Sequence, residues 1–112
     1  MRGFKLIVDQ LGDGVARVAL RGELDLGHAY LFDEELRRVE AREPPTLVLD
    51  LRELSFVDSC GLARLLAVRA RALRAGRRLV LVRGTEAVQR LLALTAVADL
   101  FDFVDEIPRA PV

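Results

Sequence analysis

Hydrophobic positions along this chain follow two different periods. From Phe4 to Gln10 and from Val15 to Arg21 they gather in short runs, separated by Leu11, Gly12, Asp13 and Gly14. The Asp-Gly pair in that separator suits the positive backbone angles of a hairpin turn, so the opening reads strand, turn, strand. From Leu26 to Glu40 the period changes: Ala29, Phe32, Leu36 and Val39 recur at steps of three and four, while Asp33, Glu34, Glu35, Arg37 and Arg38 fill the opposite side. That spacing predicts an amphipathic helix.

Pro44 and Pro45 end the helical segment, and Thr46, Leu47, Val48 and Leu49 then form a continuous apolar run closed by Asp50. A strand buried on both faces has this character. After a link from Leu51 to Val57, Leu62, Leu66, Ala70 and Leu73 line one side of a second helix, predicted from about Asp58 to about Ala75 and stopped by Gly76. Leu79–Val82 reads as a strand, Thr85 as the cap of a helix through Leu94, and Leu100–Val104 as a last short strand. The order β-β-α-β-α-β-α-β predicts an α/β fold with right-handed crossovers and a mixed, mostly parallel sheet, the hairpin supplying its antiparallel edge. One domain is expected over residues 1–112, with a core from about 4 to 104 and a loose tail from 106 to 112.

Composition narrows the functional classes. The 112 residues are 52% hydrophobic and 30% charged, the balance of a globular domain. Seventeen basic and seventeen acidic residues cancel, so the total shows no footprint for direct nucleic-acid or anionic-membrane binding. The single cysteine, Cys60, and single histidine, His28, are too few for the usual structural zinc sets, and no metal or cofactor is expected. Arginine or acid interrupts every long apolar stretch, which argues against membrane insertion, and the apolar run near Met1 is too short for a secretion signal. A reducing, cytoplasmic setting fits these features.

The most unusual local sequence runs from Leu49 to Leu62, where a buried strand leads through a short loop into Asp58, Ser59, Cys60 and Gly61 at a helix start. The first turn of that helix offers unpaired N–H groups and a partial positive charge, and either Asp58 or Ser59 can cap it. The same geometry tolerates an anion on Ser59, such as a phosphate carrying about −1.5 to −2 charges. Gly61, lacking a side chain, would leave room for another protein to reach the hydroxyl. Simple capping explains the Asp-Ser pair equally well on local physics.

Residues 54–62, Leu-Ser-Phe-Val-Asp-Ser-Cys-Gly-Leu, closely resemble the signature of STAS domains of the anti-sigma factor antagonist family, and Leu20, Arg21, Gly22, Glu23, Leu24, Asp25 resembles that family's Leu-x-Gly-Glu-Leu-Asp. The resemblance implies a non-enzymatic binding module. Its unphosphorylated form would bind an anti-sigma factor that is also a serine kinase, freeing the sigma factor; phosphorylation of Ser59 would release it, and a metal-dependent phosphatase would reset it. Asp58 and Asp25 would be the acidic neighbours of that serine, with Cys60 and Gly61 completing the switch site. Gly22, Glu23, Leu24, Asp25, His28, Tyr30 and Leu62 are the expected partner-binding residues, on the loop from Gly22 to Gly27 and the first turns of the two helices. A hundredfold loss of affinity needs only about 2.8 kcal/mol, which a phosphate in a packed interface beside acidic groups can supply. The alternative that resemblance allows is a STAS subunit of a signalling scaffold or of an ABC-type lipid-transport complex.

Two departures from the family pattern stand out. Cys60 replaces a common Ser or Thr, which argues against a second phosphorylation there. Thr95, Ala96, Val97 replaces Thr-Gly-Leu, which predicts a different backbone in that turn. Other residues carry competing readings. The seven arginines between Ser59 and Thr85, which include no acid among them, read as a solvated surface or as a dock for an acidic partner. His28 with Ser59 raises a serine-hydrolase reading, but the Gly-x-Ser-x-Gly elbow is absent. Cys60 reads as a small packing residue in preference to a reactive thiol. Among Tyr30, Leu31 and Phe32, Phe32 fits the core face, leaving Tyr30 or Leu31 for a partner. Nucleotide binding by the domain lacks a Walker-type loop, and the oligomeric state is expected to be monomer or weak dimer.

Overall fold

Two long parallel strands, β2 (Val15–Leu24) and β3 (Thr46–Val57), form the spine of the molecule in the computed structural model, which describes residues 3–12 and 14–108. Around them stand β1 (Phe4–Gly12), α1 (Ala29–Glu40), α2 (Ser59–Ala75), β4 (Arg78–Val82), α3 (Glu86–Leu94) and β5 (Phe103–Val104), with 3-10 turns at Leu26–His28 and Ala98–Leu100. The five-stranded sheet has the order β1-β2-β3-β4-β5; only β1 runs antiparallel to its neighbour. The predicted α/β class, element order and mixed sheet are therefore the observed ones. Asp13 of the predicted hairpin turn lies outside the described residues, while Gly12 and Gly14 beside it both have positive φ.

All three helices pack on one side of the sheet. Their buried residues, among them Phe32, Leu36, Leu65, Val68, Val88 and Leu92, join Val18, Leu20, Leu24, Leu47, Leu49, Leu51 and Leu81 in one core. A smaller cluster of Val15, Val48 and Val82 covers the other side, with Leu11, Val104 and Ile107 packed on it. Ile107, within the expected loose tail from residue 106, packs half-buried on this cluster, while residues 109–112 lie outside the described residues. Asp50 also lies on this helix-free side and is the one buried charged residue among those described.

Several boundaries differ from expectation. β2 continues past Arg21 and β3 past Asp50, because parallel pairing resumes after register shifts, with Arg21 opposite Glu53 and Leu24 opposite Val57. Charge supports the extension: Arg21 Nε and Nη2 donate to Glu53 Oε2 at 3.1 and 2.8 Å. The buried face of α2 is Gly61, Leu65, Val68 and Ala72, not the predicted Leu62, Leu66, Ala70, Leu73 stripe. Both stripes satisfy helical spacing, and the tether at Asp58 fixes which one turns inward, leaving Leu73 64% exposed. The predicted last strand starts late, since Leu100 ends a 3-10 turn and only Phe103 and Val104 pair with β4.

The turn at Thr95–Val97 corrects another expectation. Ala96 adopts φ 61°, with Val97 N donating to Leu92 O at 3.2 Å, the same helix-ending motif that Gly76 makes at φ 68° with Arg77 N donating to Ala72 O. The backbone is thus the one a glycine would take, carried by an alanine whose Cβ disfavours it. Ala96→Gly is expected to raise stability by about 0.5–1 kcal/mol, or about 2–6 °C in Tm, after the greater flexibility of unfolded glycine is set against the relieved strain. A thermal melt checks this, and an unchanged or lower Tm would refute it.

Candidate functional site

β2 and β3 end side by side at one edge of the sheet, with Leu24 opposite Val57. The carboxyl ends of parallel strands are where α/β folds concentrate function, since the following loops and helix N-termini converge there. Here the convergence is a tether. Asp58 N donates to Leu24 O at 3.2 Å, and the Asp58 carboxylate accepts from Gly61 N at 2.8 Å through Oδ1 and from Leu26 N at 3.1 Å through Oδ2. One side chain therefore caps α2 and binds the turn that follows β2. The Gly61 N–H is the main cause holding the Asp58 carboxyl below its ordinary pKa; partial burial opposes it and the Leu26 N–H adds to it. A full negative charge therefore stands beside Ser59 at neutral pH.

Because Asp58 takes the cap, Ser59 is left as the exposed first residue of α2, and its hydroxyl makes no hydrogen bond among the described residues. Cys60 is half-buried with a free thiol. Gly61 is buried, and a Cβ there would collide with the Leu24 carbonyl oxygen and lie 2.8 Å from Val57 Cγ2. Its small size thus serves the close approach of α2 to β2, correcting the idea that it clears space for a visiting protein.

The second predicted motif divides between strand and turn. Gly22, Glu23 and Leu24 belong to β2, not to a loop. Gly22 has φ 96°, and a Cβ would strike the Gly3 carbonyl oxygen, so the glycine is required by the strand itself. The Leu24 side chain is fully buried, which corrects its assignment as a contact residue: it supports the surface from beneath. Asp25 precedes the 3-10 turn, with Oδ1 2.8 Å from His28 Nδ1, and the His28 ring stands 5.7 Å from that of Phe4. The two atoms lie in contact without hydrogen-bond geometry.

Exposed apolar side chains lie on the segments joined by this tether. Leu26 (73% exposed), Tyr30 (78%) and Phe56 (46%) lie on the segments that carry or touch Asp58, and Leu62 is half-buried one turn into α2. Tyr30 and Leu62 were expected here; Leu26 and Phe56 were not. The signal for Leu26 was its place outside the Ala29, Phe32, Leu36, Val39 stripe. For Phe56 it was masked by reading residues 51–57 as a loop.

The arginines resolve mostly as internal ties. Arg64 pairs with Asp33 at 3.1 Å, Arg71 with Glu40 at 2.8 Å and Arg83 with Asp105 at 2.9 Å, while Arg69 and Arg77 donate to the carbonyls of Leu100 and Pro44. This leaves Arg74 and Arg78 as exposed cations without such ties, too few for a basic patch. No group of three or more His, Cys, Asp or Glu residues is arranged to hold a metal among the described residues, and no helix there is long and apolar enough to cross a membrane.

The STAS domain family model matches residues 8–110. This chain belongs to the STAS domain family. Its sequence is 40% identical over 55 residues to the anti-sigma-F factor antagonist RsfB of Mycobacterium tuberculosis, a match covering 49% of this chain and 45% of RsfB, so just under half of that relative's length is spanned. The STAS fold superposes on an anti-sigma factor antagonist from Mycobacterium paratuberculosis with TM-score 0.83 and 28% identity, covering 94% of this chain and 88% of the other. The anti-sigma factor antagonist SpoIIAA in its unphosphorylated form shares the fold at TM-score 0.73 and 20% identity, over 91% of this STAS domain and 90% of SpoIIAA.

Proposed function

We propose that this STAS domain is an anti-sigma factor antagonist whose unphosphorylated form binds an anti-sigma factor serine kinase in the bacterial cytoplasm and frees the sigma factor, and which phosphorylation of Ser59 releases. The observation that carries the reading is the division of labour at the start of α2: Asp58 does the capping, so the exposed hydroxyl of Ser59 is spare. A serine needed as cap could not be modified without loosening the helix; this one can. RsfB and the M. paratuberculosis protein are both anti-sigma factor antagonists, which supports the same reading. The contact surface is Leu26, His28, Tyr30, Phe56 and Leu62 around Ser59, with Asp25 positioned by His28.

Release follows from charge. A phosphate at Ser59 adds to the ionised Asp58 next to it, so a partner packed over the apolar rim must desolvate two adjacent anions. A metal-dependent phosphatase removes the phosphate and returns the binding form. No conformational change in the sheet is required.

The test uses purified anti-sigma factor serine kinase encoded in the same genome and titration calorimetry. Wild type and Ser59→Ala are expected to bind alike, and Ser59→Asp to lose at least about thirtyfold in affinity, about 2 kcal/mol. With ATP, mass spectrometry should find phosphate on residue 59 of the wild type and none on Ser59→Ala. Equal binding by all three proteins would overturn the reading.

A further inference from the structure

The outer edge of β1 carries an inference independent of Ser59. β1 is the terminal strand of the sheet, nine residues long, without proline, regular from Phe4 to Gln10 with its one register irregularity between Gln10 and Gly12, and its middle is the apolar run Leu6, Ile7, Val8, with Val8 exposed. Edge strands of this length are usually shortened, bulged or covered, because their unpaired N–H and C=O groups template further pairing. Among the described residues no strand or helix covers this edge. We propose that it is the seam of a two-fold dimer, in which β1 of a second copy of this chain adds antiparallel and joins two five-stranded sheets into one.

The backbone specifies which groups are available. Glu23 N donates to Gly3 O at 3.1 Å, and Phe4 lies opposite Gly22. In an antiparallel ladder this alternation turns the backbone groups of Gly3, Lys5, Ile7 and Asp9 toward β2 and those of Phe4, Leu6, Val8 and Gln10 outward. A two-fold axis at Ile7 then sets Leu6 opposite the partner's Val8 and Phe4 opposite its Gln10 as hydrogen-bonded pairs, giving about eight inter-chain bonds.

Charge selects that register over its neighbours. Lys5 and Asp9 are the only charged residues of β1, both exposed. Lys5 has no ion pair among the described residues; Asp9 has Arg17 at 3.3 Å. With the axis at Ile7, each Lys5 faces the other copy's Asp9 across a non-hydrogen-bonded pair, where side chains come closest, and Ile7 meets Ile7 between them. Moving the axis to Val8 would set Asp9 against Ile7 and Lys5 against Leu11. Moving it to Leu6 would set Lys5 against Ile7. Either slip exchanges two ion pairs for charges lying against apolar neighbours.

The experiment is sedimentation equilibrium on wild type, Lys5→Asp, Asp9→Lys and an equimolar mixture of the two variants, over about 1 to 300 µM, with circular dichroism melts to verify folding. Wild type is expected to dimerise, and each variant to weaken its own dimer at least about tenfold, because like charges then face each other twice. In the mixture every cross-strand pair is again opposite in charge, so dimers between unlike variants should return to within about threefold of wild type. A wild type that stays monomeric throughout would overturn the proposal. So would variants that dimerise as wild type does, or a mixture no more dimeric than its components. Lys5→Asp changes an exposed, unpaired side chain, so that arm still decides the matter if Asp9→Lys fails to fold.

Discussion

Gly61→Ala is expected to lower folding stability by about 3 kcal/mol or more, although helix propensity alone predicts a gain of about 1 kcal/mol. Packing prevails because the new methyl would meet the Leu24 carbonyl oxygen, Val57 Cγ2 at 2.8 Å and Leu24 Cγ at 2.9 Å at once. All three atoms belong to the buried ends of β2 and β3, and the carbonyl is backbone, so no rotamer change relieves the contact. The helix start must shift, which pulls Asp58 from Leu24 O and Leu26 N. Urea unfolding followed by circular dichroism measures the effect; a midpoint equal to or above that of wild type would show that α2 has slack at its first turn.

Asp50→Ala is expected to cost about 3 kcal/mol for a different reason. Asp50 accepts from Arg52 Nη2 at 2.7 Å, Arg52 Nε at 2.9 Å and Arg52 N at 3.1 Å, and Arg17 Nε stands 3.3 Å away. Removing it leaves two guanidinium groups facing each other on the helix-free side. Burial works to raise the Asp50 carboxyl, but the Arg52 hydrogen bonds and the Arg52 and Arg17 charges outweigh it and hold the pKa below the ordinary value. A carboxyl lowered on folding stabilises above its unfolded pKa of about 3.9 and loses that contribution as pH falls through its folded value. The stability gap between wild type and Asp50→Ala should therefore be constant above about pH 5 and narrow below about pH 4. A gap that stays constant down to pH 2 would show that packing, not charge, is what the substitution removes.

Fold and site were legible to different depths. Periodicity located every helix and strand because burial repeats at 3.6 or 2 residues wherever one face meets a core. It failed where two stripes were equally apolar, as in α2, because the choice between Leu62 and Leu65 is made by a hydrogen bond to a residue far along the chain. It failed again at Leu51–Val57, where Arg52, Glu53 and Ser55 look like loop residues; pairing with β2 and the Arg21–Glu53 contact make them strand. Local sequence identified Asp58 and Ser59 as cap and neighbour but could not assign the two roles. That assignment depends on Leu26 N, which reaches Asp58 Oδ2 and not the serine. Gly61 was read for access to a partner and Gly22 as a partner-binding residue, yet both are demanded by backbone approaching within their absent Cβ.

The tether between Asp58 and Leu26 joins residues 32 positions apart, and α1 and the whole of β3 lie between them. Contacts of such separation form only after the intervening loop has lost its entropy, so they belong to the late part of folding. A chain in which β3 has not yet paired with β2 accordingly lacks this tether. On the proposed function such species would not bind the partner, and only finished molecules would count toward the competent pool.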